Sequence, residues 1–254
     1  HSSAPDPYRV PVPVQAVAFS SDGTPLATSG YREVVIWNPA NGEMVKRINH
    51  LPQRIQSIHW SRDDSQLLVG GGIPGEYGEV SLVNIASGQR DQVLTTFEDI
   101  VMDSTFNADY SKVAAVSASS RTQVVDVVSG KVIWESRVHS DWATGVIFSK
   151  EDQFVVTTSR DQTVKVQDAG TGDLFTTYNG HRKQFGEYTG RFAVYAIEQD
   201  PASGQLITVG EGKAARVWKP EKAREENGTA ADMEGRFYKK GHTRFIAHQM
   251  SEPV

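Results

Sequence analysis

Three observations in the 254-residue sequence predict an all-β fold assembled from repeated four-stranded units. The first is an aromatic-Ser-x-acid segment that recurs as Phe19-Ser20-Ser21-Asp22, Trp60-Ser61-Arg62-Asp63, Phe106-Asn107-Ala108-Asp109 and Phe148-Ser149-Lys150-Glu151, with a degenerate copy at Glu198-Gln199-Asp200-Pro201. The second is a β-rich run closed by a glycine turn downstream of each of the four, ending at Gly42, Gly88, Gly130 and Gly172. The third is the division of each period into four short strand-like pieces. The aromatic markers are spaced 41, 46 and 42 residues apart and the glycines 46, 42 and 42, so two independent markers share one period. Units of this size and content assemble radially as the blades of a β-propeller.

The first repeat shows how each unit is built. Its strand-like pieces are 14–20, 24–29, 33–38 and 44–48, separated by Ser-Asp-Gly, Gly-Tyr-Arg and Pro-Ala-Asn-Gly. Gly and Asn accept positive φ in such breaks, while Asp and Ser bond the local backbone. The pieces are rich in Val, Ile, Thr and aromatic residues, which suit a pleated, half-buried surface. Inner pieces such as Val14-Gln15-Ala16-Val17-Ala18-Phe19 are apolar on nearly both faces, as expected of a sheet packed between two others. No periodicity supports a long helix, and 220–227 reads as a charged insertion. Five blades are expected at about 14–50, 54–97, 99–138, 141–180 and 191–240. Residues 1–13 read as a Pro-rich linker or N-terminal strand, and 241–254 as the start of a sixth blade.

The sequence resembles the WD-repeat family, most clearly in the fourth unit: His139-Ser-Asp-Trp142, Ser159-Arg160-Asp161 and Val164-Lys165-Val166-Gln167-Asp168. The resemblance implies a hydrogen-bonded network of His, turn Asp, Ser or Thr, and Trp within a blade. Its expected members here are Trp37, His139, Ser159, Asp161, His181, Trp218 and His242. The network is eroded, because Tyr31, Ser119 and Gly212 replace the turn Asp, and Val83, Val125 and Gln167 replace the Trp. Blade four is therefore expected to be the most regular. WD propellers commonly have seven blades, so five plus the start of a sixth imply an open fragment with one face of blade one and one of blade five uncovered. A narrower resemblance, carried by the GGGIPGEYGEV insertion and His139-Ser-Asp-Trp142, is to the WD-repeat region of large bacterial proteins with an N-terminal c-type cytochrome domain. It implies a periplasmic or exported protein with haem in an upstream domain, a cytoplasmic scaffold being the alternative. No cofactor is expected in this chain, which has no Cys-x-x-Cys-His.

Composition bounds the remaining chemistry. A net charge of −5 and a pI near 5.8 argue against a protein that coats nucleic acid or anionic membrane. No apolar run is long enough for a transmembrane helix, so no membrane insertion is expected. Without cysteine, disulfides, thiolate zinc sites and Cys nucleophiles are excluded. Gly70–Gly78 lacks the following helix and the Lys of a phosphate loop, and reads as a lengthened inter-strand loop. His139, His181 and His242 fall one per blade, too far apart to share a metal ion; His59 has no evident partner. Ser61 and Ser149 occupy turns where a hydroxyl caps backbone, and no nucleophile elbow is present. The carboxylate pairs Asp63-Asp64 and Glu225-Glu226 read as solvated. The basic stretches His181-Arg182-Lys183 and Arg236–Arg244 are set against an acidic chain, and no nucleic-acid partner is expected.

A working surface is expected on the channel rim formed by inner-strand starts and inter-strand turns, where Tyr31, Arg54, Arg121, Trp142 and Arg160 lie, against the alternative that they are ordinary surface side chains. The expected function is a non-catalytic scaffold binding a protein or neighbouring domains of its own polypeptide, within a bacterial cytochrome-type redox protein. The alternatives are a propeller enzyme, a hydrolase or dehydrogenase with its site at the channel mouth, and an intracellular WD scaffold without a redox link.

Overall fold

The computed structural model describes residues 13–181, 192–211, 214–223 and 244–247, and these form five four-stranded antiparallel blades. Blade one comprises β1 (Val17–Phe19), β2 (Leu26–Ser29), β3 (Tyr31–Asn38) and the first half of β4 (Glu43–Trp60). The second half of β4, with β5 (Gln66–Ile73), β6 (Tyr77–Asn84) and β7 (Arg90–Phe97), forms blade two. Blade three is β8 (Val101–Phe106), β9 (Lys112–Ser117), β10 (Thr122–Asp126) and β11 (Val132–Ser136). Blade four is β12 (Ala143–Phe148), β13 (Phe154–Ser159), β14 (Val164–Asp168) and β15 (Leu174–Tyr178). Blade five is β16 (Val194–Gln199), β17 (Leu206–Gly210), β18 (Ala214–Trp218) and β19 (Arg244–Ala247).

The repeated sequence markers are the turns of these blades. In the turn after the inner strand of blades one, two and three, the Ser or Asn donates to the acid two residues on: Ser20 to Asp22 at 2.7 Å, Ser61 to Asp63 at 2.8 Å and Asn107 to Asp109 at 2.7 Å. Ser61 and Ser149 also accept the N–H of Gln66 and Phe154, so their hydroxyls cap backbone. In the turn before the outer strand of blades one to four, the glycine N–H closes onto the carbonyl of an Asn or Asp four residues back, as Gly42 does on Asn38 and Gly172 on Asp168. These glycines have φ between +66° and +78°, the left-handed region that a side chain disfavours.

Four buried apolar clusters fill the four interfaces between successive blades. One joins Ala27, Ile36 and Ile48 of blade one to Trp60 and Leu67 of blade two, and another joins Val156 and Tyr178 of blade four to Val194 and Trp218 of blade five. The other two lie between blades two and three and between three and four. Among the described residues no buried cluster joins blade five to blade one. The outer face of β1 leaves Val17 61% and Phe19 59% exposed, and blade five exposes Val209 on the face turned from blade four. The arc is open.

Three expectations are corrected. The Gly70–Gly78 stretch is not a long loop: β5 and β6 run on into a tight Ile73-Pro74-Gly75-Glu76 turn. Glycines are needed there because a Cβ on Gly71 would lie 2.1 Å from the Arg54 carbonyl and one on Gly78 2.2 Å from that of Asp99. Second, β4 passes from blade one into blade two without a separate connection, bending at His50 with φ +64°. Third, the segment assigned to the start of a sixth blade supplies β19, which pairs with β18 as the fourth strand of blade five. The apolar run Phe245-Ile246-Ala247 supplies that edge, which the charged stretch after Lys219 is poorly suited to do. The remaining tail, residues 1–12, His242, Arg182-Lys183 and the basic stretch from Arg236 to Lys240 lie outside the described residues.

Candidate functional site

Blade four contains the most complete polar network. His139 is buried, its Nδ1 2.9 Å from Asp161 Oδ2 and its Nε2 2.8 Å from Thr157 Oγ1. Asp161 further accepts from the Ser140 N–H and from the N–H and hydroxyl of Thr163. Burial opposes its ionisation, but the bonds from His139 and Thr163 and the His139 charge hold this carboxyl well below the usual range. The hydroxyl that meets His139 is therefore Thr157 and not Ser159. Ser159 instead accepts the Asp161 N–H and donates to the Asp141 carbonyl, capping the turn. At the Trp position, Gln167 donates to Ser136 of blade three and to the Gly172 carbonyl.

Elsewhere the network survives in part. In blade five, Thr208 Oγ1 meets His181 Nε2 at 2.8 Å and the Trp218 indole N–H at 3.2 Å, and Trp218 stacks on Tyr178 at 4.2 Å between centroids. Burial, with the Arg216 charge, pushes His181 down to about 3, so it is neutral. In blade one the Trp37 indole donates to Thr28 at 2.8 Å. All these side chains are consumed in holding blades together.

The five expected rim residues lie at inner-strand starts or in the turns between second and third strands. Tyr31 stands opposite Arg54 in the β3–β4 ladder, and both are exposed. The Arg160 guanidinium lies 4.5 Å from the centroid of the Trp142 ring, which is 41% exposed, and its Nε is 4.0 Å from Asp141. Arg121 departs from the expected arrangement. It is bound to Glu135 of β11 and to Glu98 of the β7–β8 connection, which also takes Arg137, so its guanidinium is already committed. The rim also holds a group that the sequence reading missed. Tyr195, 48% exposed, donates to Glu211 at 2.6 Å, and that bond holds its phenol above the ordinary value. It lies on β16 at the position of Thr144 in blade four, while the repeat position of Trp142 falls on Ala193, so matching the repeats from Trp142 would not have found it.

At the opposite end of the arc, the aromatic markers Phe19, Trp60, Phe106 and Phe148 line a cavity of about 590 Å³ together with His59, Gln199 and Pro201. His59 has no hydrogen-bond partner among the described residues, and burial pushes it down to about 4. Asp103, on β8, accepts from the Val146 and Ser104 N–H groups, each at 2.9 Å. Burial, with the nearby Glu198 charge, pushes it up to about 7 against the effect of those bonds. Among the described residues, no group of three or more His, Asp or Glu is placed to hold a metal ion.

Comparison with known proteins bears on what this geometry is. The family model for the WD domain, G-beta repeat, matches residues 130–168, from the turn before β11 through β14. That segment is similar to a WD repeat, and the blades around it have the β-propeller architecture. The chain is 27% identical to WD repeat and SOCS box-containing protein 1 of Xenopus tropicalis, over 81% of this chain and 49% of that protein. It is 23% identical to nuclear distribution protein PAC1 of Komagataella phaffii, over 67% of this chain and 35% of that one. The chain thus spans half or less of the length of these curated relatives. A chain in the crystal structure of the mitotic checkpoint complex superposes with a TM-score of 0.68, at 19% identity, over 83% of this chain and 61% of that one. That likeness is one of fold.

Proposed function

We propose that this WD-type arc is a non-catalytic platform whose channel rim holds a partner protein or a neighbouring domain of its own polypeptide. The observation that carries this is the Trp142–Arg160 pair. An indole 41% exposed with a guanidinium stacked over it is large, rigid and partly desolvated before any partner arrives. Trp, Tyr and Arg are the residue types that dominate protein interfaces, and Tyr31 with Arg54 repeats the combination on the rim. The buried polar residues of blades four and five are spent on structure, leaving the rim as the part of the repeat free to vary with function.

The test is capture on the immobilised chain, comparing the wild type with Trp142→Ala/Arg160→Gln and with a control substitution at the other end, Lys150→Ala. Proteins held by the wild type and the control, but released by the rim variant, support the reading. Identical capture by all three sinks it. A redox role as a module of a bacterial c-type cytochrome protein, with periplasmic or exported placement, stands on the resemblance of the Gly70–Gly78 insertion and His139-Ser-Asp-Trp142 alone; the relatives matched here are eukaryotic. Its test is the gene upstream: a Cys-x-x-Cys-His and an export signal support it, and the absence of both removes it.

A further inference from the structure

We infer that the segment the rim receives is an acidic peptide, one carboxylate docking on Arg160 against Trp142 and a second on Arg54 beside Tyr31. The inference rests on the rim being the partner-binding surface, and the balance of paired and unpaired charge there carries it. The carboxylates of this rim are largely occupied. Glu98 takes Arg121 and Arg137, Glu211 takes the Tyr195 hydroxyl, and Asp99 accepts the Gly75 and Ile100 N–H groups. The cations are not. Arg54 is exposed without a hydrogen bond or ion pair among the described residues, and so is Arg32 beside Tyr31. Arg160 has only the 4.0 Å approach of Asp141 to its Nε. Glu76, at the tip of the β5–β6 hairpin, is the exception, an exposed carboxylate on this rim without a side-chain partner among the described residues. A chain whose net charge is −5 therefore presents mainly unspent positive charge on this one surface.

The geometry of Arg160 narrows the ligand. A guanidinium lying over an indole keeps its terminal N–H groups pointing outward in its own plane, the fork that a carboxylate satisfies with two parallel hydrogen bonds. The ring beneath excludes water from one side, which strengthens the pair relative to one in bulk solvent. Glu98, Asp141 and Glu211 share this rim with the free cations, so a continuous polyanion such as single-stranded DNA following the rim would meet repulsion at them. Separate carboxylates on a flexible segment avoid it.

The experiment is fluorescence anisotropy of the chain with labelled Gly/Ser peptides carrying two glutamates at varied separation, alongside their glutamine counterparts, a lysine series and an oligothymidylate. At least one glutamate spacing should bind, weaken as salt rises, and weaken about tenfold with Arg160→Gln and with Arg54→Gln. Both side chains lie at the surface, so melting temperature should be unchanged in the variants. Arg160→Glu/Arg54→Glu should transfer binding to the lysine peptide of the same spacing. The inference is overturned if no glutamate peptide binds better than its glutamine counterpart, if the oligothymidylate binds more tightly, or if the Arg variants bind as the wild type does. Release of captured proteins by the rim variant with no glutamate-peptide binding would overturn the acidic ligand and leave the rim reading standing. Failure of both assays would remove both.

Discussion

Asp161 and Asp103 are both carboxylates drawn out of water, and their neighbours push them in opposite directions. Asp161 is surrounded by donors, so its ionised form is favoured in the fold, and its contribution is lost only as the pH falls through the carboxylate range. Asp103 has two backbone donors against strong desolvation, and its value of about 7 lies above the ordinary 3.8. The folded state therefore holds a proton on Asp103 that the unfolded chain has released, and stability falls as the pH rises from about 4 to about 7. His59 and His181 act with the opposite sign: lowered from 6.5, they stay neutral in the fold and cost stability as the pH drops below that value. Above pH 6.5 Asp103 acts with little interference from these two histidines. Asp103→Asn keeps an acceptor for the Val146 N–H, so the fall in melting temperature between about pH 6.5 and 8 should flatten in this variant. An unchanged slope would mean that Asp103 is ionised throughout. Thr157→Val tests the other network: it removes the hydroxyl facing His139 Nε2 at nearly constant volume. Urea unfolding should show a loss of about 1–3 kcal/mol, the cost of a buried polar group left unpaired.

Among elements, the turns before the outer strands carry two constraints that substitution can separate. Gly42 and Gly172 share a positive φ, +73° and +78°. A Cβ on Gly42 would meet open space, whereas one on Gly172 would lie 2.6 Å from the ring of Trp134, whose indole N–H also donates to the Ala169 carbonyl. Gly42→Ala should therefore cost about 1 kcal/mol, from backbone strain alone. Gly172→Ala should cost clearly more in the same chemical denaturation assay, because blade three must also give way; equal losses would mean that the Trp134 contact adds nothing. The same contrast explains what the sequence revealed. The aromatic-Ser-x-acid and glycine turns were legible because their chemistry is local, the partners lying two to five residues away. Thr157 was misread as Ser159 because residues two apart share a face of a strand, so periodicity cannot choose between them. Trp134, Asp103 and the Asp64 carboxylate that accepts the Ser21 N–H of the preceding blade were missed because their partners lie 35 to 43 residues away. Repeat position alone assigned Arg121 to the rim, but the Glu98 and Glu135 partners that commit its guanidinium come from other elements, which the reading did not connect.

For the whole molecule, the decisive feature is that each blade buries one face on the blade before it and the other on the blade after it, and the first and last described blades each lack one neighbour. On blade one, Val17 and Phe19 are 61% and 59% exposed, with Leu26, Thr28 and Trp37 partly buried on the same face. An apolar sheet face of this kind gains roughly 25 cal/mol for each Å² that it removes from water. Nothing in the described blades competes for it, so the chain by itself should associate through these faces, and sedimentation should show a mean mass that rises with concentration. Val17→Glu/Phe19→Glu places two charges at the centre of the contact, where their desolvation would be uncompensated. This variant should shift the chain to monomer. Its melting temperature should hardly change, because these side chains face away from the cluster that joins blades one and two. Rim binding should also be unaffected, since Phe19 lies at the cavity end, opposite Trp142 and Arg160. A monodisperse monomer at all concentrations in the wild type would mean that the two faces find each other within one molecule and the arc closes on itself. In that case the same variant should lower the melting temperature instead of the mass, so one pair of substitutions separates an open arc from a closed ring.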